Sequence, residues 1–205
     1  MQPMLWTAML LAVAGCMEAE TSAPDSGPSL VRIEMTPALA GLSVGATQAF
    51  EVIGYYDDET TAPVSPTFVA TGGTVDGGVY TAATGGTFLL IANGAGGVAD
   101  TSLIATAPLK PEGSTVRFES VFDETHAQAG AAWDYRDHLV VALVDGNDAL
   151  VGAVGFWVTE AGADCTVSHV FLTCPAGTHT ITFQQVGVDG VDNPGFRPQI
   201  TLIVE

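Results

Sequence analysis

Positive charge is what this sequence has least of. Five Lys and Arg stand against 23 Asp and Glu, a formal net charge of −18 over 205 residues. Phosphate backbones are bound through Lys and Arg, so a nucleic acid partner is excluded. Charge-driven docking on an anionic membrane is disfavoured for the same reason. Such a surface suits solubility or divalent cations. Long apolar runs are also missing: nothing after residue 16 approaches the roughly 20 apolar residues of a membrane-spanning helix. No stretch shows the apolar periodicity of a helix of standard length. Familiar catalytic motifs are lacking too. There is no Gly-x-Ser-x-Gly elbow, no His-Glu-x-x-His helix and no Gly-rich loop followed by Lys-Ser or Lys-Thr. His126, His138, His169 and His179 are scattered. The carboxylates mark no glycosidase pair, because among 23 some must lie close. The expectation is a protein that is not an enzyme.

What is present begins with an address. Met4-Leu5-Trp6-Thr7-Ala8-Met9-Leu10-Leu11-Ala12-Val13-Ala14-Gly15 is uncharged and free of proline. It is too short to span a bilayer and fits the apolar region of a secretory signal peptide. Small residues at Ala14 and Gly15 let the chain lie extended in a narrow protease cleft. The ending Val13-Ala14-Gly15-Cys16 resembles the lipobox of bacterial lipoproteins. The resemblance implies cleavage after residue 15, a diacylglyceryl thioether on Cys16 and a lipid bilayer as partner. The n-region, Met1-Gln2-Pro3, departs from the usual pattern in having no Lys or Arg. Residues 16–29 carry almost nothing to bury and read as a flexible tether. Met17 after the cysteine is compatible with sorting to an outer membrane or cell surface.

From Leu30 the pattern is that of an all-β protein. Hydrophobic residues make up 47%, enough for cores, and 24 Gly and 11 Pro among many Val and Thr indicate short strands and turns. Val31, Ile33 and Met35 alternate with Arg32, Glu34 and Thr36, the period of a half-buried strand. Phe88-Leu89-Leu90-Ile91 is apolar on both faces and predicts a central strand. Several motifs here resemble bacterial Ig-like domains. They are Val31-Arg32-Ile33-Glu34-Met35-Thr36-Pro37, Leu42-Ser43-Val44-Gly45-Ala46-Thr47-Gln48, and Thr74-Val75-Asp76-Gly77-Gly78-Val79-Tyr80-Thr81-Ala82 followed by Gly86-Thr87. The resemblance covers residues 30–107 and implies a β-sandwich used for spacing or binding, with no catalytic residues.

Pro108-Leu109-Lys110-Pro111-Glu112-Gly113 reads as a short linker stiffened by two prolines. It divides a first sandwich, 30–108, from a second, 109–205. Strands are expected in the second at 115–122, 138–144, 150–158, 165–172, 178–186 and 199–204. Asp145-Gly146-Asn147-Asp148 supplies a hairpin turn. Cys165 and Cys174 are the two cysteines left once Cys16 is lipidated. In an oxidising compartment their natural state is a disulfide across neighbouring strands or a hairpin. The phrase Cys174-Pro175-Ala176-Gly177-Thr178-His179-Thr180-Ile181-Thr182 resembles a turn and strand of exported Ig-like and carbohydrate-binding sandwiches alike.

Two segments concentrate chemistry. Residues 122–138 hold Asp123, Glu124, Asp134 and Asp137, whose oxygens can ligate Ca²⁺, with Trp133 and Tyr135 able to stack on sugar rings. The same residues also read as a short Ala-rich helical turn with Trp133 in the core and Arg136 paired to a carboxylate. Asp189-Gly190-Val191-Asp192-Asn193 places Asp189, Asp192 and Asn193 around a glycine, which suits Ca²⁺ but lacks the closing Glu of an EF-hand. The function expected is that of a noncatalytic lipoprotein of the cell envelope, presenting Ig-like domains for spacing, adhesion or assembly with an envelope protein. The alternative is a second domain that binds polysaccharide, with Ca²⁺ assisting.

Overall fold

Alternating apolar and polar residues, cut every few positions by Gly, Pro or Asp, leave no room for long elements. The computed structural model describes residues 27–122, 126–187 and 197–205, so Cys16, Asp123, Glu124 and the Asp189–Asn193 turn lie outside it. The described residues form twenty short strands and two 3-10 turns. The first lobe contains β1 (Leu30–Thr36), β2 (Leu39–Ser43), β3 (Thr47–Ala49), β4 (Glu51–Tyr56), β5 (Thr61–Pro63), β6 (Thr67–Ala70), β7 (Gly73–Asp76), β8 (Val79–Ala82), β9 (Gly86–Asn93) and β10 (Ala99–Ala107). The second contains β11 (Val116–Phe122), β12 (His126–Ala127), β13 (Trp133–Asp134), β14 (Leu139–Asp145), β15 (Leu150–Ala153), β16 (Phe156–Glu160), β17 (Thr166–Ser168), β18 (Phe171–Thr173), β19 (Gly177–Gln185) and β20 (Gln199–Val204).

The two lobes are the same fold used twice. Sheets β1-β4-β5, β2-β10-β9-β6 and β3-β8-β7 recur as β11-β14-β15, β12-β20-β19-β16 and β13-β18-β17. Each lobe has one parallel pairing, β2 with β10 and β12 with β20. The repeat extends to single bonds. Val44 N donates to Ala107 O and Gly45 N to Ala82 O, as Ala129 N does to Glu205 O and Gly130 N to Cys174 O. Gly45 and Gly130 turn the chain at φ +86° and +73°, a region that favours glycine. In the hairpins, Val75 faces Tyr80 as Val167 faces Leu172. Both lobes are all-β sandwiches.

Each lobe has a core, and one strand serves both. Ile104 of β10 packs with Ile33, Met35, Val52, Tyr80 and Leu90 in the first core. Its neighbours Leu103, Ala105 and Ala107 point the other way. They join the second core, with Tyr135, Leu139, Phe156 and Phe183. Alternation along a strand makes this possible, because successive side chains leave on opposite faces. The lobes then touch backbone to backbone. Gly155 N donates to Thr106 O at 2.7 Å. The Thr87 hydroxyl accepts from Phe156 N at 2.8 Å and donates to Phe156 O at 2.9 Å. A Cβ on Gly155 would lie 2.4 Å from Gly86 O and 2.5 Å from Ala105 Cα, so only glycine fits.

Three expected features take another form. Val31 is 54% exposed, outside the row of Ile33 and Met35. A bulge between Leu30 and Arg32 adds a residue there and turns Val31 outward. The strand expected over 150–158 breaks at Val154-Gly155, and its halves pair with different partners, β15 with β14 and β16 with β19. The close approach of β10 at Gly155 imposes that break. The strand expected over 165–172 is a hairpin, turning at His169 with φ +53°.

Gly155→Ala is expected to lower stability by about 1–3 kcal/mol, the usual cost of overpacking, in equilibrium denaturation. The wild type should unfold in a single calorimetric transition because β10 belongs to both cores. Two separated transitions would contradict this coupling.

Candidate functional site

The chemistry-rich segment is the second lobe's copy of a scaffold. The chain leaves β12, turns at Gly130, forms β13 and tightens into a 3-10 turn at Tyr135–Asp137. By backbone bonds and register, residues 128–135 correspond to 43–50 of the first lobe. They share only Gly-Ala, Gly45-Ala46 and Gly130-Ala131. Trp133 occupies the place of Gln48, and Tyr135 that of Phe50.

Those positions face the core. Trp133 is 7% exposed, and its ring stacks on His138 at 5.0 Å with an interplanar angle of 6°. Tyr135 is fully buried among Phe156 and Phe183, with ring centroids 5.5 and 5.4 Å away. Its hydroxyl donates to His169 O at 3.1 Å, and burial pushes the phenol pKa well up. Neither ring offers a free face to a sugar. The Asp134 carboxylate accepts from Arg136 Nε and from Arg136 N, both at 3.0 Å. Asp137 is exposed. The segment therefore has Trp133 in the core and Arg136 paired to a carboxylate. Asp123, Asp189, Asp192 and Asn193 lie outside the described residues, so no Ca²⁺ ligand set can be assembled here.

One open cleft of about 700 Å³ lies beside this segment, lined by His126, Ala127, Gln128, Ala129, Trp133 and Glu205. The Trp133 indole N–H is buried and has no hydrogen-bond partner among the described residues. The imidazole, amide and carboxylate that line the cleft can donate to and accept from a hydroxyl-rich ligand. Sequence reasoning passed over His126 and Gln128, because the segment's aromatics drew attention instead.

The cysteines give the firmest local structure. Cys165 and Cys174 form a disulfide, with Cα atoms 4.3 Å apart, at the base of the β17–β18 hairpin. The same cross-strand position in the first lobe is held by Gly73 and Ala82. Closing so short a loop contributes about 2–3 kcal/mol. His179 lies beside them, its sidechain nitrogen within 4.8 Å of both sulfurs. Its Nε2 is 2.9 Å from Pro175 O. Disulfide sulfurs are not thiolates, the form that binds metal.

The ion pair sets a pH dependence. Burial opposes the Asp134 charge, but hydrogen bonds from the Arg136 guanidinium and backbone outweigh it and hold the carboxyl below its ordinary range. A carboxyl depressed on folding stabilises above its unfolded pKa of about 3.9, and that contribution is lost as pH falls through the lowered value. Asp134→Asn is therefore expected to lower the urea midpoint at pH 7. The gap from wild type should close at acid pH. An unchanged midpoint at pH 7 would contradict this.

Comparison with known proteins yields only loose structural likenesses. No protein-family model matches the chain, and no curated protein matches it. Among solved structures it is similar to surface layer protein SbsC, domains 4–9, with TM-score 0.31 and 13% identity over 87% of this chain and 32% of that one. Domains 5–6 of the same S-layer protein align at TM-score 0.31 and 14% identity, over 86% of this chain and 98% of that one. The protocadherin gammaB7 EC3-6 cis-dimer structure aligns at TM-score 0.30 and 12% identity, over 85% and 48%. Similarities this loose assign no function.

Proposed function

We propose that this chain is a noncatalytic lipoprotein of the bacterial cell envelope, with two Ig-like lobes that act as a stiff spacer for adhesion or assembly. The observation that supports it is the shared strand β10. Leu103, Ala105 and Ala107 lie in the second core while Ile104 lies in the first, so the lobes cannot hinge freely about the 108–115 connection. A spacer needs that stiffness, and a tether with acyl chains at Cys16 gives it an anchor. One chain anchors marginally, while two or three hold firmly.

Cys16→Ser is expected to move the protein from the membrane fraction to the soluble fraction, or to leave it unprocessed. Mass spectrometry of the wild type should show an N-terminal Cys16 carrying acyl mass. A different mature start without acyl mass would overturn the anchor.

The cleft at Trp133 supports the second reading, polysaccharide binding, now through hydrogen bonds rather than ring stacking. In a glycan-binding screen of the full chain, any glycan retained should be lost with Gln128→Ala, with the thermal unfolding temperature unchanged. Retention that survives the substitution would place binding elsewhere.

A further inference from the structure

The internal repeat shows one surface more completely covered in the second lobe than in the first, where Phe50 and Val52 are buried but Val64, Ser65 and Pro66 are open. Tyr135, Val141, Val154, Gly155 and Phe156 lie beneath β9 and β10, and all five are buried. Shared bonds fix their counterparts. Val154 N donates to Val141 O as Val64 N does to Val52 O, and Tyr135 N donates to Val170 O as Phe50 N does to Gly78 O. The first-lobe set is thus Phe50, Val52, Val64, Ser65 and Pro66. Here Val64 and Pro66 are half-exposed and Ser65 is exposed. With Phe68 they line an open notch of about 270 Å³.

The covering element is also repeated. β9 starts at Gly86-Thr87 and β19 at Gly177-Thr178, the two glycines at φ +142° and +144°. Thr87 faces Ala105 as Thr178 faces Ile203, so Ile203 stands where Ala105 stands and Thr201 where Leu103 stands. In the first lobe this end is clamped onto Phe156 by the Thr87 hydroxyl. In the second, Thr178 and Thr201 are exposed, and Ile203 is 37% exposed.

We propose that the notch of the first lobe receives the β19–β20 end of a second copy of this chain, giving head-to-tail association. Among the described residues, that end is the one element repeating the strand order of the cover that fits the equivalent surface. The contact is heterologous, so successive copies add in line rather than closing on themselves. It is looser than its intramolecular model for two reasons. Ser65 has a side chain where Gly155 lets backbone approach, and Pro66 has no N–H where Phe156 donates one. A charge of −18 on each copy adds repulsion, which salt screens.

Sedimentation equilibrium of the purified full-length chain tests this. The weight-average mass should rise with concentration, and more steeply at high salt. Ser65→Glu in the notch and Ile203→Glu at the docking end should each leave monomers with wild-type circular dichroism. Thr178→Glu serves in place of Ile203→Glu if that variant unfolds. Mixed in equal amounts, the notch variant and the docking-end variant should form a heterodimer and nothing larger, since each keeps one working face. Monomers at every concentration and salt, or association that persists in either variant alone, would overturn the proposal.

Discussion

The close approach of β10 to Gly155 is the constraint on which the rest of this molecule depends. A strand buried on both faces has no polar side to give to water, so two cores must form around it together. Leu103 alone, buried, is worth about 1.5–3 kcal/mol, and Ala105 and Ala107 allow the second lobe's backbone to come close behind it. Gly155 completes the contact by having no side chain. The strand break at Val154-Gly155, the buried Phe156 and the clamp at Thr87 all follow from that proximity.

Much of the fold was legible in the sequence. Period-two alternation located β1, and the strands expected over 115–122 and 199–204 match β11 and β20. Phe88-Leu89-Leu90-Ile91 reads as central because both faces are apolar, and β9 does lie between β10 and β6. The duplication was not legible. The lobes share bonds and register while keeping little more than Gly-Ala in one segment and Gly-Thr in another, too little to stand out among 24 glycines. The breaks inside 150–158 and 165–172 were hidden for a different reason. They are set by contacts from distant strands and by a left-handed residue, His169, where glycine would have signalled the turn.

The candidate site shows how composition misleads. Residues 122–138 stand out because carboxylates, aromatics and an arginine gather in what looks like a loop. Alignment with the first lobe makes most of that gathering architectural: Tyr135 takes the core position of Phe50, and Trp133 that of Gln48. Four extra residues between Tyr135 and Val141, beginning at Arg136, let Asp134 and Arg136 pair with each other. What the segment leaves open is its edge, a cleft that His126, Gln128, Glu205 and Trp133 line together. The disulfide follows the same logic, since Cys165 and Cys174 strengthen a hairpin base that Gly73 and Ala82 hold by backbone pairing alone.

Sharing a strand also gives the chain an order of events. Chains are made from the N-terminus, and domains generally fold as they emerge. The first lobe has all ten of its strands once Ala107 is out, yet the Leu103-Ala105-Ala107 strip then faces water until β16 and its neighbours arrive. During that interval the half-made molecule displays an apolar stripe beside a newly formed sheet edge. The finished protein hides the stripe, so the hazard belongs to its synthesis and not to its mature life.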